Sequence, residues 1–232
     1  KSIRAIEKFE IKPINVLIGA NGAGKSNFIS IFSFMHEIRE GRLQEYVRKA
    51  GGAEQLLYFG AKTSKAIEFE ASFRKEVNSY SLKLVPTRDD SLSPVNELVS
   101  FWDKSKYGNP LTEFLLPIEN GREAGISDPN VKKVADWVRH RLDRWRVYHL
   151  HDTSEFSPMR KTAKLADNHF LRDDAANLPA FLYLLQQKHE SSYKLIRSTI
   201  RQVAPFFDDF NLLPDPLNES TIRLAWKHTK SD

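Results

Sequence analysis

Cysteine is absent from the chain. A disulfide framework, a cysteine-ligated metal centre and a thiol nucleophile are therefore all excluded. Long apolar runs are missing as well. None reaches the roughly 20 residues that a membrane-spanning helix needs, and the stretch from Lys1 lacks the pattern of a secretory signal. Those absences predict a cytoplasmic protein with no membrane partner. No Met stands at the first position, as expected of a trimmed start. The composition also excludes a disordered chain. Over 232 residues, 41% are hydrophobic and 28% charged, enough for one large domain or one domain carrying an insertion. Thirty-five Lys and Arg against 30 Asp and Glu leave a net charge of +5. That balance allows an anionic partner without naming one.

One stretch organises the rest, INVLIGANGAGKSNFISIFSFMHEIRE from Ile14 to Glu40. Its centre, Gly19-Ala20-Asn21-Gly22-Ala23-Gly24-Lys25-Ser26, satisfies G-x-x-x-x-G-K-[ST]. Ile14–Ile18 is a short apolar run rich in β-branched residues behind Pro13, and predicts a buried central strand. After Ser26, Phe28, Ile31, Phe32, Met35 and Ile38 recur at spacings of three and four and predict a helix. Strand, glycine loop and helix are the context in which the motif acquires a mechanism. Gly19, Gly22 and Gly24 let successive amides curl round phosphate oxygens. The helix N-terminus adds unpaired donors and the positive end of a dipole. Lys25 is expected to reach the β- and γ-phosphates, and the Ser26 hydroxyl to hold Mg²⁺. The pattern predicts a nucleoside triphosphate ligand, which accounts for part of the positive charge. A nucleic acid remains an open alternative for the rest.

Taken in order, Ser2–Ile11 reads as an edge strand. Gly41 is expected to end or bend the first helix, with Arg42–Val47 as its continuation in the second case, before a break at Gly51-Gly52. Ala66–Phe73 and Tyr80–Val85 alternate as an antiparallel pair, with Ile67, Phe69, Ala71 and Phe73 facing inward. Pro86–Gly125 shows no clear period and predicts an irregular insertion, with a short helical patch at most near Glu97–Trp102. Its aromatics and lysines admit a nucleic-acid surface, although a small core of its own is the plainer reading. Asp128-Pro129 should cap and open a helix carrying Val131, Val134, Val138, Leu142 and Trp145 as its apolar stripe. Arg146–Leu150 reads as a short strand that runs into a polar loop. His149, His151 and Asp152 there have the chemistry of metal ligands but lack a third strong partner nearby. Helices are predicted over Leu178–Gln187 and Ser192–Val203, and a last strand over Thr221–Lys227. Phe206-Phe207-Asp208-Asp209 is too short behind Pro205 to serve as an apolar strand ending in metal-binding acids.

At Gly19–Asn27 the chain resembles the nucleotide-binding head of ABC-type ATPases of the RecF, SMC and OLD group. The shared features are NVLIGANG and the Asn27 that follows GKS. Gly51–Gly60 (GGAEQLLYFG) and Leu171–Leu185 (LRDDAANLPAFLYLL) resemble predicted AAA-type ATPases of the same clade, several of them bacterial and some accessory to anti-phage systems. The resemblance implies an α/β fold, a partial P-loop NTPase head of the ABC-ATPase type, with an antiparallel β segment and helical insertions. It implies ATP and Mg²⁺ as cofactors, and nucleotide contacts from Gly19, Asn21, Gly22, Ala23, Gly24, Lys25, Ser26 and Asn27. Lys25 is the expected catalytic residue and Ser26 the Mg²⁺ ligand. Val147–Asp152 falls where such heads carry a loop that senses the γ-phosphate, with His149, His151 and Asp152 in place of the usual glutamine.

Such heads also need a signature segment, an apolar strand ending in Asp-Glu and a switch histidine, and none lies between Lys25 and Asp232. The expected organisation is thus a first half of the head over 1–85, an insertion over 86–146, a return strand and loop over 147–170, a helical lobe over 171–210, and a strand over 211–232 that leads to a further, C-terminal half. The expected activity is ATP-driven closure of a head-to-head homodimer in DNA maintenance or anti-phage defence. The alternative is a nucleotide-gated scaffold that holds an effector protein and turns over little ATP.

Overall fold

The computed structural model describes residues 1–73, 77–148, 150, 154 and 156–230. The chain divides into two compact units, Lys1–Val147 and Tyr148–Asp232. Among the described residues no helix is long and apolar enough to cross a membrane.

The first unit opens with a long segment without regular structure, followed by α1 (Lys25–Arg39), α2 (Leu43–Lys49) and two single turns, α3 (Ala53–Leu56) and α4 (Gly60–Thr63). The predicted break points hold. Gly41 ends α1, and the Gly51-Gly52 pair ends α2. An antiparallel meander follows, β1 (Ile67–Phe73), β2 (Asn78–Pro86), β3 (Leu92–Phe101) and β4 (Leu111–Phe114), hydrogen-bonded in chain order. β1 alternates as its sequence requires, odd positions turned toward the core. Helix α5 (Lys133–Leu142) completes the unit. Met35 and Ile38 of α1, Leu43 and Val47 of α2, Tyr80, Leu82 and Leu84 of β2, and Val138 and Leu142 of α5 share one buried cluster. A chain of edge-to-face rings, Phe9–Phe28–Phe32–Trp145–Phe69, runs along α1 to the sheet.

Several expectations fail here, each for a local reason. Glu97–Trp102 lies mostly in β3 rather than in a helical patch. The register slips at Lys83/Leu84, and Val95 and Asn96 are both exposed between buried Pro94 and buried Glu97. That slip breaks the period of two on which sequence reading depends. Pro94 inside the strand hides it further. The helix predicted to open at Asp128-Pro129 begins at Lys133. The Asp128 carboxylate is spent instead on a tight turn, accepting from the Asn130 amide at 2.8 Å.

The larger correction concerns Ile14–Ile18, which forms no strand. Asn15 ties itself back round Pro13, its Oδ1 accepting from the Lys12 amide at 3.1 Å and its Nδ2 donating to the Lys12 carbonyl at 2.7 Å. A central strand also needs a neighbour on each side. β1–β4 satisfy one another, and none of them pairs with this segment. Ser2–Ile11 likewise carries no strand.

Two buried carboxylates hold the loop before α5 against the rest of the unit. Glu97, 2% exposed, accepts hydrogen bonds from Tyr80 Oη (2.8 Å), the Gly125 amide (2.7 Å) and the Ile126 amide (2.9 Å). Glu123 accepts from the amides of Leu43 (2.8 Å) and Gln44 (3.1 Å), which caps α2 from some 80 residues away. Burial pushes both carboxyls above their ordinary value, against the pull of these donors.

The second unit carries β5 (Ala163–Lys164), α6 (Leu178–Lys188), α7 (Glu190–Val203), β6 (Phe207–Phe210), β7 (Pro214–Asp215), β8 (Asn218–Ile222) and β9 (Trp226–His228). The two helices fall where their periodicity placed them. Fully buried Asn177 precedes α6 and pins the preceding loop, donating to the carbonyls of Asp167 and Phe170 and accepting from the Arg172 amide. The single strand predicted over Thr221–Lys227 is split. β8 pairs with β5 and β7, whereas β9 pairs with β6. The alternation of Ile222, Leu224 and Trp226 is real but bridges two different sheets. No strand forms at Arg146–Tyr148. All strand pairings among the described residues are antiparallel.

Candidate functional site

The glycine loop meets α1 as its sequence requires. Gly24 is the residue before the helix and takes a left-handed conformation, φ 90°, which a side chain would strain. Lys25 and Ser26 therefore open the first turn, where amides have no intrahelical acceptor. Phe28 closes that turn on the Gly24 carbonyl at 2.9 Å. Gly22 is also left-handed, with nothing within 4 Å of where a Cβ would stand. The Lys25 ammonium folds back on its own loop, donating to the carbonyls of Gly19 (2.6 Å) and Ala20 (2.7 Å). Ser26 is exposed. Asn27 turns away from the loop and donates to Ser2 Oγ at 2.7 Å.

The structure thus keeps Gly19–Asn27 together as one exposed shoulder at the head of α1. Residues remote in sequence join it. Ser2 lies 3.5 Å from the place of a Gly24 Cβ, and Lys1 Nζ donates to Ser30 Oγ at 3.1 Å. Behind Ser2 opens a cleft of about 440 Å³, walled by Gln55, Leu57, Phe59 and Gly60 of the α3–α4 segment. Sequence reasoning did not find these residues. Gly51–Gly60 entered only as part of the family resemblance, and within it the aromatic pair Tyr58-Phe59, set directly before a glycine, was the local signal.

His149, His151 and Asp152 lie outside the described residues. A different set, His36, Glu40 and Asp143, brings its donor atoms within 4.8 Å of one another. Cations already occupy that place. Arg39 pairs with Glu40 and reaches Asp143 at 3.3 Å, and Arg146 Nη1 donates to His36 Nε2 at 3.3 Å. Burial, and then the Arg146 guanidinium, hold His36 below its ordinary pKa and so keep it neutral at pH 7. The group is a charge network joining the end of α1 to the end of α5. Asp208 and Asp209 in β6 are also engaged, through Arg201 (2.6 Å) and through Tyr193 (2.6 Å) with Arg197 (2.8 Å). Burial and the Asp209 carboxylate push the Tyr193 hydroxyl up to about 12.

Compared with known protein families, residues 14–205 match the model described as "AAA domain, putative AbiEii toxin, Type IV TA system". No curated protein and no solved structure matched the chain. The matched span runs from the apolar segment before the glycine loop, through both units, to Pro205.

Proposed function

The chain belongs to this AAA family of P-loop ATPase domains, and from that premise we propose that it binds ATP with Mg²⁺ on the Gly19–Asn27 shoulder as an ATPase head of the RecF, SMC and OLD type. The observation that carries the reading is the geometry at Gly24–Lys25. A left-handed glycine delivers open amides and a lysine to the first turn of a 15-residue helix. The shoulder fits a triphosphate. Gly22 leaves open space beside the backbone, and the Lys25 ammonium rests on two carbonyls that it can exchange for phosphate oxygens.

In this reading Gly19, Asn21, Gly22, Ala23 and Gly24 line the phosphates, Asn27 adds its backbone amide while its side chain is held by Ser2, and the Ser26 hydroxyl holds the metal. Bound Mg²⁺ would neutralise charge on the β- and γ-phosphates. Lys25 and the loop amides would stabilise the charge that develops on transferring oxygens. ATP-dependent pairing of two heads would couple the site to its output. The family's description, a putative toxin of a toxin–antitoxin system, supports a defence role over housekeeping DNA maintenance.

The test is Lys25→Ala. MgATP affinity should fall at least about tenfold, since a charged contact to phosphate is lost, while far-ultraviolet circular dichroism stays unchanged. Equal affinity in the two proteins would sink the proposal. Tight binding with negligible turnover in the full protein would favour the second reading, a nucleotide-gated scaffold for an effector.

A further inference from the structure

Phe59 is built against its own interest. Its backbone is left-handed, φ 50° and ψ 33°, a conformation that costs a bulky residue free energy and suits glycine or asparagine. Its ring gains little burial in return, being 72% exposed. The surroundings over-determine this pose. Leu57, fully buried, anchors the segment from below. Glu54 folds across the start of α4, accepting from the Ala61 amide at 2.8 Å. Gly60 permits this because a Cβ there would stand 2.1 Å from the Glu54 carboxylate. Strain held this firmly at an exposed aromatic is a pointer to function rather than to packing.

The ring forms one wall of the cleft of about 440 Å³, a size suited to a small organic ligand. Ser2 forms another wall and is shared with the phosphate shoulder through Asn27 and Gly24. Exposed Gln55 lines the same space; its backbone carbonyl and that of Leu57 accept from the Lys1 α-ammonium, and its carboxamide has no hydrogen-bond partner among the described residues. A second cavity, about 100 Å³ between α1 and the sheet, is lined by apolar side chains apart from Glu68, whose carboxylate is paired with Lys83 at 2.8 Å.

We propose that this cleft receives the base of the nucleotide whose phosphates lie on Gly19–Asn27. The Phe59 face would stack on the ring and Gln55 would hydrogen-bond its edge. The proposal rests on the nucleotide-binding reading above. It explains why an exposed phenylalanine stands where the backbone favours glycine, and it gives the phosphate loop, which reads no base, a partner that does.

The experiment uses MgATP and, as a ligand without a base, Mg²⁺-tripolyphosphate, each titrated against wild type, Phe59→Gly and Phe59→Trp. Glycine relieves the left-handed strain, so Phe59→Gly should unfold in urea no earlier than wild type. It should lose MgATP affinity by about tenfold or more, the scale of a lost base–aromatic stack, and keep tripolyphosphate affinity within about twofold. Phe59→Trp should keep both. If Phe59→Gly binds MgATP like wild type, or weakens on both ligands alike, the base cleft is wrong and the phosphate shoulder stands. If wild type binds neither ligand, both readings fall together.

Discussion

Two short segments of the first unit, both expected to be strands, have opposite fates. Tyr80–Val85 lies in β2, paired on both sides by β1 and β3, with Leu84 only 1% exposed. Ile14–Ile18 is richer in β-branched residues, yet it pairs with no strand among the described residues and leaves Ile18 91% exposed. Propensity is thus not the difference. β2 has neighbours a turn away in sequence that can close a meander. Ile14–Ile18 is followed by a glycine loop and a long helix, and preceded by Pro13 with its Asn15 clasp. A strand is a relation between segments, and only one of these two segments has relatives within reach.

The contrast can be broken by mutation. The largest effect should come from the carboxylate beneath β2 and β3. Glu97→Ala strands the Tyr80 hydroxyl and two amides in the core and should cost on the order of 3–6 kcal/mol in urea unfolding. A loss under about 1 kcal/mol would show that water replaces the carboxylate freely. Next, Leu84→Ala should cost about 2–5 kcal/mol, whereas Ile18→Ala should stay within about 0.5 kcal/mol. Similar losses at both positions would mean that Ile14–Ile18 is buried in solution and the contrast is false.

The smallest effect is one of pH. Glu97 and Glu123 carry raised carboxyl pKa values in the folded state, so the folded protein binds more protons than the unfolded one above the ordinary value of 4.5. Their stabilising contribution is complete below that value and is lost as pH rises through the folded pKa. Relative to Glu97→Gln, wild type should therefore lose urea stability between pH 4.5 and neutrality. A difference that grows with pH would reverse the assigned direction.

What was legible depended on how local its cause was. The helix after Ser26, the stops at Gly41 and Gly51-Gly52, and both helices of the second unit follow from spacing within a dozen residues. β3 was hidden because its own extra residue, Val95, bulges opposite Lys83/Leu84 and shifts its phase, and because Glu97 occupies an inward position, with donors that come from Tyr80 and residues 125–126. β8 and β9 were fused because their shared alternation does not record a change of sheet. At the candidate site, the glycine loop was readable as a contiguous motif. The cleft beside it was not, because Ser2, Gln55 and Phe59 meet only through the fold.

By itself the sequence determined the turn before α1, where Gly24 takes the left-handed backbone and Lys25 opens the helix. It also determined α1, α6 and α7, whose hydrogen bonds close within four residues. Tertiary structure alone decided which segment became a strand, which carboxylates were buried, and what stands beside the phosphate shoulder. The carboxylates and the cleft depend on partners tens of residues away, and a strand on whether a neighbouring segment is free to pair with it, which its own composition does not record.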